Sequence, residues 1–369
     1  MIEERPRARA LRLLQGIVAR QSSAGLPLPP ERELAEHCSV SRTTLRWALD
    51  RLTEEGALHS GGARTRMVTE PLSRLAITRD AVYLFSSITA GAPSRSAVRG
   101  EFVHIGALQG MRNAGRTVLI PGSGIPDEAT VAALLRHRPI GVLMPEAMIT
   151  GATDQRLLHA AEAFAGAGIP TVILGETPTS CDRIASDHEG GAYALSRWLF
   201  ARGCRRQLCL WATSPTIQEW RILRRAGHER AHHEAGCPLL PVEWMRWRDG
   251  EDAFDEMVIV LAGHLAPYLM AAEPIDAVVA MTDAHVPAIC AALRRCGREP
   301  GRDITVVGYD AFWHEIDVRA RCPVPPAATV DKRNRELGLA MAALLEERIA
   351  GTLPGSPQLR LLAPTLVFL

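Results

Sequence analysis

Asp303-Ile304-Thr305-Val306-Val307-Gly308-Tyr309-Asp310 sets the reading of most of this chain. Its centre, Ile304–Gly308, is short, apolar and rich in β-branched residues. That composition predicts a buried strand rather than a helix. Working outward, similar runs recur at Ala81–Ser86, Thr117–Pro121, Ile140–Met144, Pro170–Gly175, Gln207–Trp211 and Ala277–Met281. Amphipathic stretches fit between them at 101–114, 127–137, 153–167, 188–203, 219–236, 251–272 and 283–297. Strands alternating with helices predict an α/β fold with parallel sheets and right-handed crossovers. Residues 80–369 exceed one comfortable sheet, so two α/β lobes are expected. No repeat of solenoid period is present, and no segment is of low complexity.

Residues 1–70 follow a different pattern. Leu11, Leu14, Ile17 and Val18 recur at helical spacing, and Pro27, Pro29 and Pro30 break the chain. A second helix is expected over Glu31–His37, then the turn Cys38-Ser39-Val40. Ser41 is placed to cap a third helix from Arg42 to Glu55. Leu45, Leu49 and Leu52 face inward, and Gly56 ends the helix. Ala57–His59 and Thr65–Val68 flank the tight turn Ser60–Arg64. Helix, helix-turn-helix and hairpin make a winged helix-turn-helix, tied on by a linker at 69–79 that contains Pro71. Arg42 and Arg46 lie four apart on one helical face, opposite the leucines. Ser41, Thr43 and Thr44 cluster at the helix start, where backbone N–H groups favour phosphate. Arginine can bind guanine O6 and N7 in a fork. Gly62 and Arg64 form a wing tip able to approach the DNA backbone.

Composition limits the alternatives. The chain has 369 residues and a net charge of +1, from 42 basic and 41 acidic residues, so any nucleic-acid surface must be local. Lys332 is the single lysine. A Walker A loop needs a lysine after its glycines, and none is available. A Schiff-base enzyme would have to use Lys332, which sits at a polar helix start. No apolar run is long enough to span a bilayer, and the amino terminus lacks the apolar core of a signal peptide. The eight cysteines are scattered, with no C-x-x-C pair; Cys204 and Cys209, then Cys290 and Cys296, are the closest. That suits thiols in a reducing cytoplasm.

Leu26–Ala35, Val40–Arg46 and Leu49–Gly56 resemble the DNA-binding domain of the GntR family, with Pro30 where a serine is usual. The resemblance implies a dimer reading two half-sites of duplex operator DNA. Arg32, Ser41, Arg42, Thr43, Thr44, Arg46, Gly62 and Arg64 are then the candidate DNA-binding residues.

The remainder resembles the LacI-type effector domain, which shares its fold with periplasmic sugar-binding proteins. The resemblance rests on Ser186–Ala192 with Leu199–Arg206, on Arg221–Gly227 with Glu234–Gly236, on Ala280–Asp283, on Asp303–Asp310, and on the carboxy-terminal stretches 328–345 and 364–367. An extra loop is expected over 87–103, and that family's hinge helix is absent. The resemblance implies a carbohydrate effector held between the lobes at the carboxyl ends of the strands, as open α/β sheets generally do. The residues carried over are Ser86, Arg221, Arg224, Thr282, Asp283 and Asp310. Asp310 would accept hydrogen bonds from ligand hydroxyls. Arg221 or Arg224 would supply the charged donor. Asp283 either faces the ligand or caps the helix that begins there. Trp220 and Trp313 either stack on a sugar ring or pack the core. The expected function is a transcriptional regulator, a repressor by family habit, with no catalysis, cofactor or metal.

Two other signals were weighed. His228-Glu229-Arg230-Ala231-His232 spells H-E-x-x-H, so the rival function is a metal-dependent hydrolase. A purely structural DNA-bending protein is a further rival, but would not need a two-lobed cleft. Ser186-x-x-Glu189 reads as a capping box opening a helix.

Overall fold

Leu45, Leu49 and Leu52 share one stripe of a helix and must find an apolar partner. In the computed structural model all three are buried, at 0%, 1% and 2% exposure. The structure describes residues 6–21, 28–54, 58–60, 66–68, 80–85, 97–121, 128–145, 155–213, 218–248 and 251–369. The chain divides into two compact units, Met1–Ala81 with Arg136–Pro139, and Val82–Leu135 with Ile140–Leu369.

In the first unit α1 (Pro6–Gln21), α2 (Glu31–Cys38) and α3 (Arg42–Glu54) surround the leucine stripe. Ala10, Leu14, Leu34, Cys38 and Ala48 complete that core, while Leu11, Ile17 and Val18 pack at its margin. β1 (Leu58–Ser60) pairs antiparallel with β2 (Arg66–Val68). Pro30 opens α2 without a side-chain cap; its carbonyl accepts from Glu33 N at 2.9 Å and Leu34 N at 3.1 Å. Gly56, the wing residues Gly62 and Arg64, and the 69–79 linker lie outside the described residues.

The second unit holds two lobes. One is built on a six-stranded sheet of β3 (Ala81–Leu84), β4 (Thr117–Leu119), β5 (Gly141–Met144), β6 (Thr171–Leu174), β7 (Asp182–Ser186) and β13 (Leu359–Leu362). Its order is β13-β7-β6-β5-β3-β4. α4 (Ala97–Asn113) and α11 (Asn334–Ile349) pack together over it. The other lobe has a four-stranded sheet, order β11-β10-β8-β9, of β8 (Gln207–Ala212), β9 (Glu243–Met245), β10 (Ala277–Ala280) and β11 (Thr305–Val307). β12 (Ala328–Asp331) and β14 (Thr365–Phe368) form an antiparallel ribbon beside it. α7 (His188–Ala201), α8 (Glu219–Ala235), α9 (Phe254–Leu269) and α10 (Val286–Arg295) cover these strands. The chain passes between lobes three times: from β7 to α7, from β12 to α11, and from β13 to β14.

The apolar strands appear where their runs predict, each trimmed by a residue or two, except β8, which gains Ala212. β7, β9 and β13 were not predicted from periodicity, because polar side chains interrupt them. Those side chains are tied down by neighbours. Asp182 of β7 takes Arg348 in a fork at 2.6 Å and also accepts from Gln358 N. Glu243 of β9 is held by His264 at 2.5 Å and by Tyr268 at 2.7 Å. Arg360 of β13 is paired with Glu347 at 2.6 Å. The helix expected from residue 283 starts with a 3-10 turn, Asp283–His285. Part of the loop expected over 87–103 is instead helical, since α4 begins at Ala97; residues 86–96 lie outside the described residues.

Helix α4 can approach α11 only because glycine faces the contact. A Cβ on Gly106 would meet Arg335 O at 2.0 Å, and one on Gly338 would meet Val103 O at the same distance. Gly338→Ala should therefore lower unfolding stability by about 1–3 kcal/mol through overpacking. Gly263, in the middle of α9, has nothing within 4 Å of such an atom. Gly263→Ala should raise stability by about 0.5–1 kcal/mol through helix propensity alone. Urea titration of both variants checks the opposite signs.

Candidate functional site

Two places bring polar side chains together. The first is the amino end of α3. Ser39 turns the chain between α2 and α3 in the left-handed region, at φ 52°. Ser41 caps α3, accepting from Thr44 N at 3.2 Å, and its hydroxyl lies 2.9 Å from Thr44 Oγ1. Arg42 and Thr43 are exposed, and neither has a partner among the described residues. Arg46 is bonded to Glu31 at 2.8 Å, across to α2. Arg32 lies 3.7 Å from Glu36. Arg32, Ala35, Glu36, Ser39, Val40, Ser41 and Arg42 border one shallow depression. Of the predicted contact residues that are described, Arg42 and Thr43 make no side-chain bond to the described residues, while Ser41 and Thr44 shape the helix start.

The second place lies at the carboxyl ends of the strands in the two-lobed unit. Asp310 follows β11 in a left-handed conformation, φ 91°, and Ala311 continues it at 57°. Residues other than glycine adopt such angles at a cost, which a functional site can require. Asp310 N donates to Val330 O at 2.7 Å, locking the turn to β12. Its carboxylate receives two cations, Lys332 Nζ at 3.0 Å and Arg224 Nη2 at 3.5 Å. Arg224 is 4% exposed. Its guanidinium covers the Tyr309 ring at 3.4 Å and lies 4.4 Å from Trp220. Its Nη1 donates to Met281 O at 2.9 Å, and its Nε to His188 Nδ1 at 3.4 Å. Arg224 therefore ties α8 to the ends of β10 and β11 and to the start of α7.

Arg221, one turn earlier, is placed differently. Its Nη1 donates to Ala212 O at 2.7 Å, and its guanidinium sits 5.1 Å from Trp220 and 5.7 Å from Trp244. Its Nε is buried without a hydrogen-bond partner. Desolvation, and then the Arg224 charge, push its pKa down. Thr282 starts the 3-10 turn and is partly buried. Asp283 is fully buried and accepts from Phe312 N at 2.8 Å and Thr329 Oγ1 at 2.7 Å. A Cβ on Gly308 would strike Asp283 Oδ1 at 2.0 Å, so Gly308 is needed for that approach. Thr282, at the cap position of the 3-10 turn, makes no side-chain cap bond. Trp313 is buried in the core beneath β10 and β11, whereas Trp220 stays beside the arginines. Ser86 lies outside the described residues.

Sequence reasoning missed several groups here. Glu176 follows β6, and its Oε1 is 3.4 Å from His188 Nε2. Lys332 reaches Asp310 from the β12–α11 crossing. Tyr309 and His285 are buried, and Trp247 stacks on His285 at 3.5 Å. His285 Nδ1, Ser186 Oγ and Gln218 Oε1 are buried without hydrogen-bond partners among the described residues. The one signal in the sequence was Lys332 itself, the single lysine among 42 basic residues. The capping box also needs correcting. Asp187, not Ser186, caps α7, accepting from Gly190 N at 2.7 Å. Glu189 is left to pair with Arg230.

In the H-E-x-x-H stretch His228 Nδ1 lies 2.7 Å from Ser196 Oγ, and His232 Nδ1 lies 2.8 Å from Pro238 O. Glu229 pairs with Arg225 at 2.6 Å. The three groups a zinc hydrolase would use are bonded elsewhere. No group of three or more potential metal ligands occurs among the described residues.

Burial shifts the Glu176–His188 pair in opposite directions. Desolvation, followed by the charges of Arg224 and Lys332, holds the His188 imidazole neutral, well below 6.5. Desolvation is also the main cause that raises the Glu176 carboxyl from 4.5 to about 7. The folded state keeps the Glu176 proton that the unfolded state releases near 4.5. Stability from this group is thus present below 4.5 and lost as pH rises to about 7. Glu176→Gln should remove the loss, so the variant gains on the wild type by on the order of 3 kcal/mol between those limits. Denaturant unfolding of both proteins across that pH range checks it. Parallel curves would assign Glu176 an ordinary carboxyl.

With this geometry in hand, likeness to known proteins is informative. Residues 9–65 match the family of bacterial regulatory proteins called gntR. Residues 197–368 match the periplasmic binding protein-like domain. The sucrose operon repressors of Shigella flexneri and Escherichia coli are each 25% identical over 189 residues, 50% of this chain and 53% of theirs. The chain thus matches only about half the length of these relatives. Among solved structures, the transcriptional regulator CelR in its cellobiose complex superposes with a TM-score of 0.56 at 21% identity, covering 92% of this chain and 98% of that one. A LacI family regulator from Enterococcus faecium with bound ribose gives 0.54 at 16%, covering 78% and 96%. These likenesses carry the fold. The chain accordingly carries an amino-terminal stretch that matches the gntR family, and a two-lobed unit of which residues 197–368 match the periplasmic binding protein-like domain.

Proposed function

We propose that this chain is a bacterial transcriptional repressor that binds operator DNA through α3 and is controlled by a carbohydrate-type effector held between its lobes. The observation that carries the reading is the cluster at the strand ends. Arg224, Lys332 and Asp310 form a largely enclosed ionic centre there, and several buried polar atoms have no hydrogen-bond partner among the described residues. Buried polar atoms are normally satisfied, so a group of orphans at one cleft calls for a ligand rich in hydroxyls. The repressors and sugar-bound regulators to which the chain is similar support the same reading. The chain would act by binding, not by catalysis, in the cytoplasm. No helix among the described residues is long and apolar enough to cross a membrane.

Paired half-sites require a dimer. The α4 face presenting Phe102, Ile105 and Leu108, all exposed at helical spacing, is the surface we assign to self-association. Residues 1–70 would read the DNA, and the linker at 69–79 would transmit the arrangement of the sensor.

Arg42 and Thr43 supply the unspent donors at α3. Arg42→Ala should cost about 1–3 kcal/mol at one base position and relax sequence preference there. Competition binding against operators mutated base by base measures this; an unchanged preference would remove Arg42 from base reading.

Effector control should depend on Asp310. Three crossings make a hinge, and a ligand shifts it only by binding one lobe arrangement better, by typically 1–3 kcal/mol. Asp310→Asn keeps the shape but removes the charge that Arg224 and Lys332 share. Operator affinity without effector should stay near wild type, while the change on adding a stabilising sugar found by thermal shift should vanish. A variant that still responds in full would place the effector elsewhere.

A further inference from the structure

The charges of the cleft do not balance around an uncharged ligand. Arg224 and Lys332 are both spent on Asp310. Asp283 is spent inside the fold, on Phe312 N and Thr329. Glu176 sits against His188, and Glu219 is an exposed residue that accepts from Thr177 Oγ1 at 3.3 Å. Arg221 is left with no carboxylate among the described residues. Its guanidinium lies between two tryptophan rings, and its Nε is buried without a partner. A half-buried guanidinium with no counter-charge keeps donors for an anion, and its planar fork matches a carboxylate or a phosphate. Arg221 is anchored on Ala212 O, at the end of β8, which pairs with β10. It therefore sits at the same strand ends as Met281, Thr282 and Asp310. Gln218, three residues earlier, offers an unpartnered buried oxygen, an acceptor for a hydroxyl.

We propose that the ligand of this cleft is an anionic polyol, a hydroxylated ring or chain bearing a carboxylate or a phosphate, and that Arg221 recognises the anionic group. The inference deepens the sensor reading and rests on it. Arg224, with a partner at each of its three guanidinium nitrogens, is the structural member of the pair; Arg221 is the one that discriminates. The hydroxyl-bearing part of the ligand meets the unpartnered groups of Gln218 and Ser186, while its charge replaces the counter-ion that Arg221 lacks.

The test uses the full chain. Thermal unfolding is followed with inorganic phosphate, and with potassium chloride at matched ionic strength, for wild type and Arg221→Gln. Phosphate should raise the wild-type midpoint above the chloride control, and Arg221→Gln should lose that excess. Equal excess in both proteins overturns the role of Arg221. Calorimetric titration then compares D-glucuronate and D-gluconate, D-glucose 6-phosphate, and uncharged D-glucose, D-ribose, sucrose and cellobiose. An acidic probe should bind about tenfold or more tightly than its uncharged counterpart. Arg221→Gln should erase the preference, and Arg221→Lys, which keeps the charge and loses the fork, should retain part of it. Whether the acids or the phosphate ester win separates carboxylate from phosphate. An uncharged sugar that binds as tightly as the acids, unaffected by Arg221→Gln, overturns the proposal and leaves the sensor reading standing. No binding by any probe overturns both.

Discussion

The carboxylate of Asp310, shared by Arg224 and Lys332, organises the two-lobed unit. Three elements meet there: the turn after β11, the middle of α8, and the crossing from β12 to α11. Asp310 reaches them from a left-handed turn that its backbone bond to Val330 holds in place. Burying three charges together is favourable only when each is paired and its remaining donors are used. Arg224 meets that condition with its bonds to Met281 O and His188 and with the Tyr309 ring beneath it. The ionic centre is also next to a crossing between lobes, the one from β12 to α11.

The groups around this centre differ in how far the protein satisfies them. Asp283 is completely used, and Gly308 exists to let it approach. Arg221 and Gln218 are not, among the described residues. Fully satisfied polar networks give rigidity, whereas orphaned ones mark where something else completes the site. The α3 helix start has a similar division. Ser41 is consumed in capping, and Arg42 and Thr43 remain available.

The amino-acid sequence alone determined the alternation of strand and helix, the two lobes and the winged-helix pattern, because each rests on local periodicity and on turn and cap residues. Leu45, Leu49 and Leu52 could face only one way, and the apolar run before Asp310 could form only a buried strand. The tertiary structure decided what depends on distant partners. β7 and β13 are strands because Arg348 and Glu347 neutralise charges that break their apolar pattern. Spacing could not choose between Arg221 and Arg224, since one helical turn separates them and only packing decides which is enclosed. Glu176 and Lys332 lie 156 positions apart in sequence yet meet around His188, Glu176 3.4 Å from its Nε2 and Lys332 through its charge. No local pattern announces such a meeting; it follows from where the strands end and where the chain crosses between the lobes.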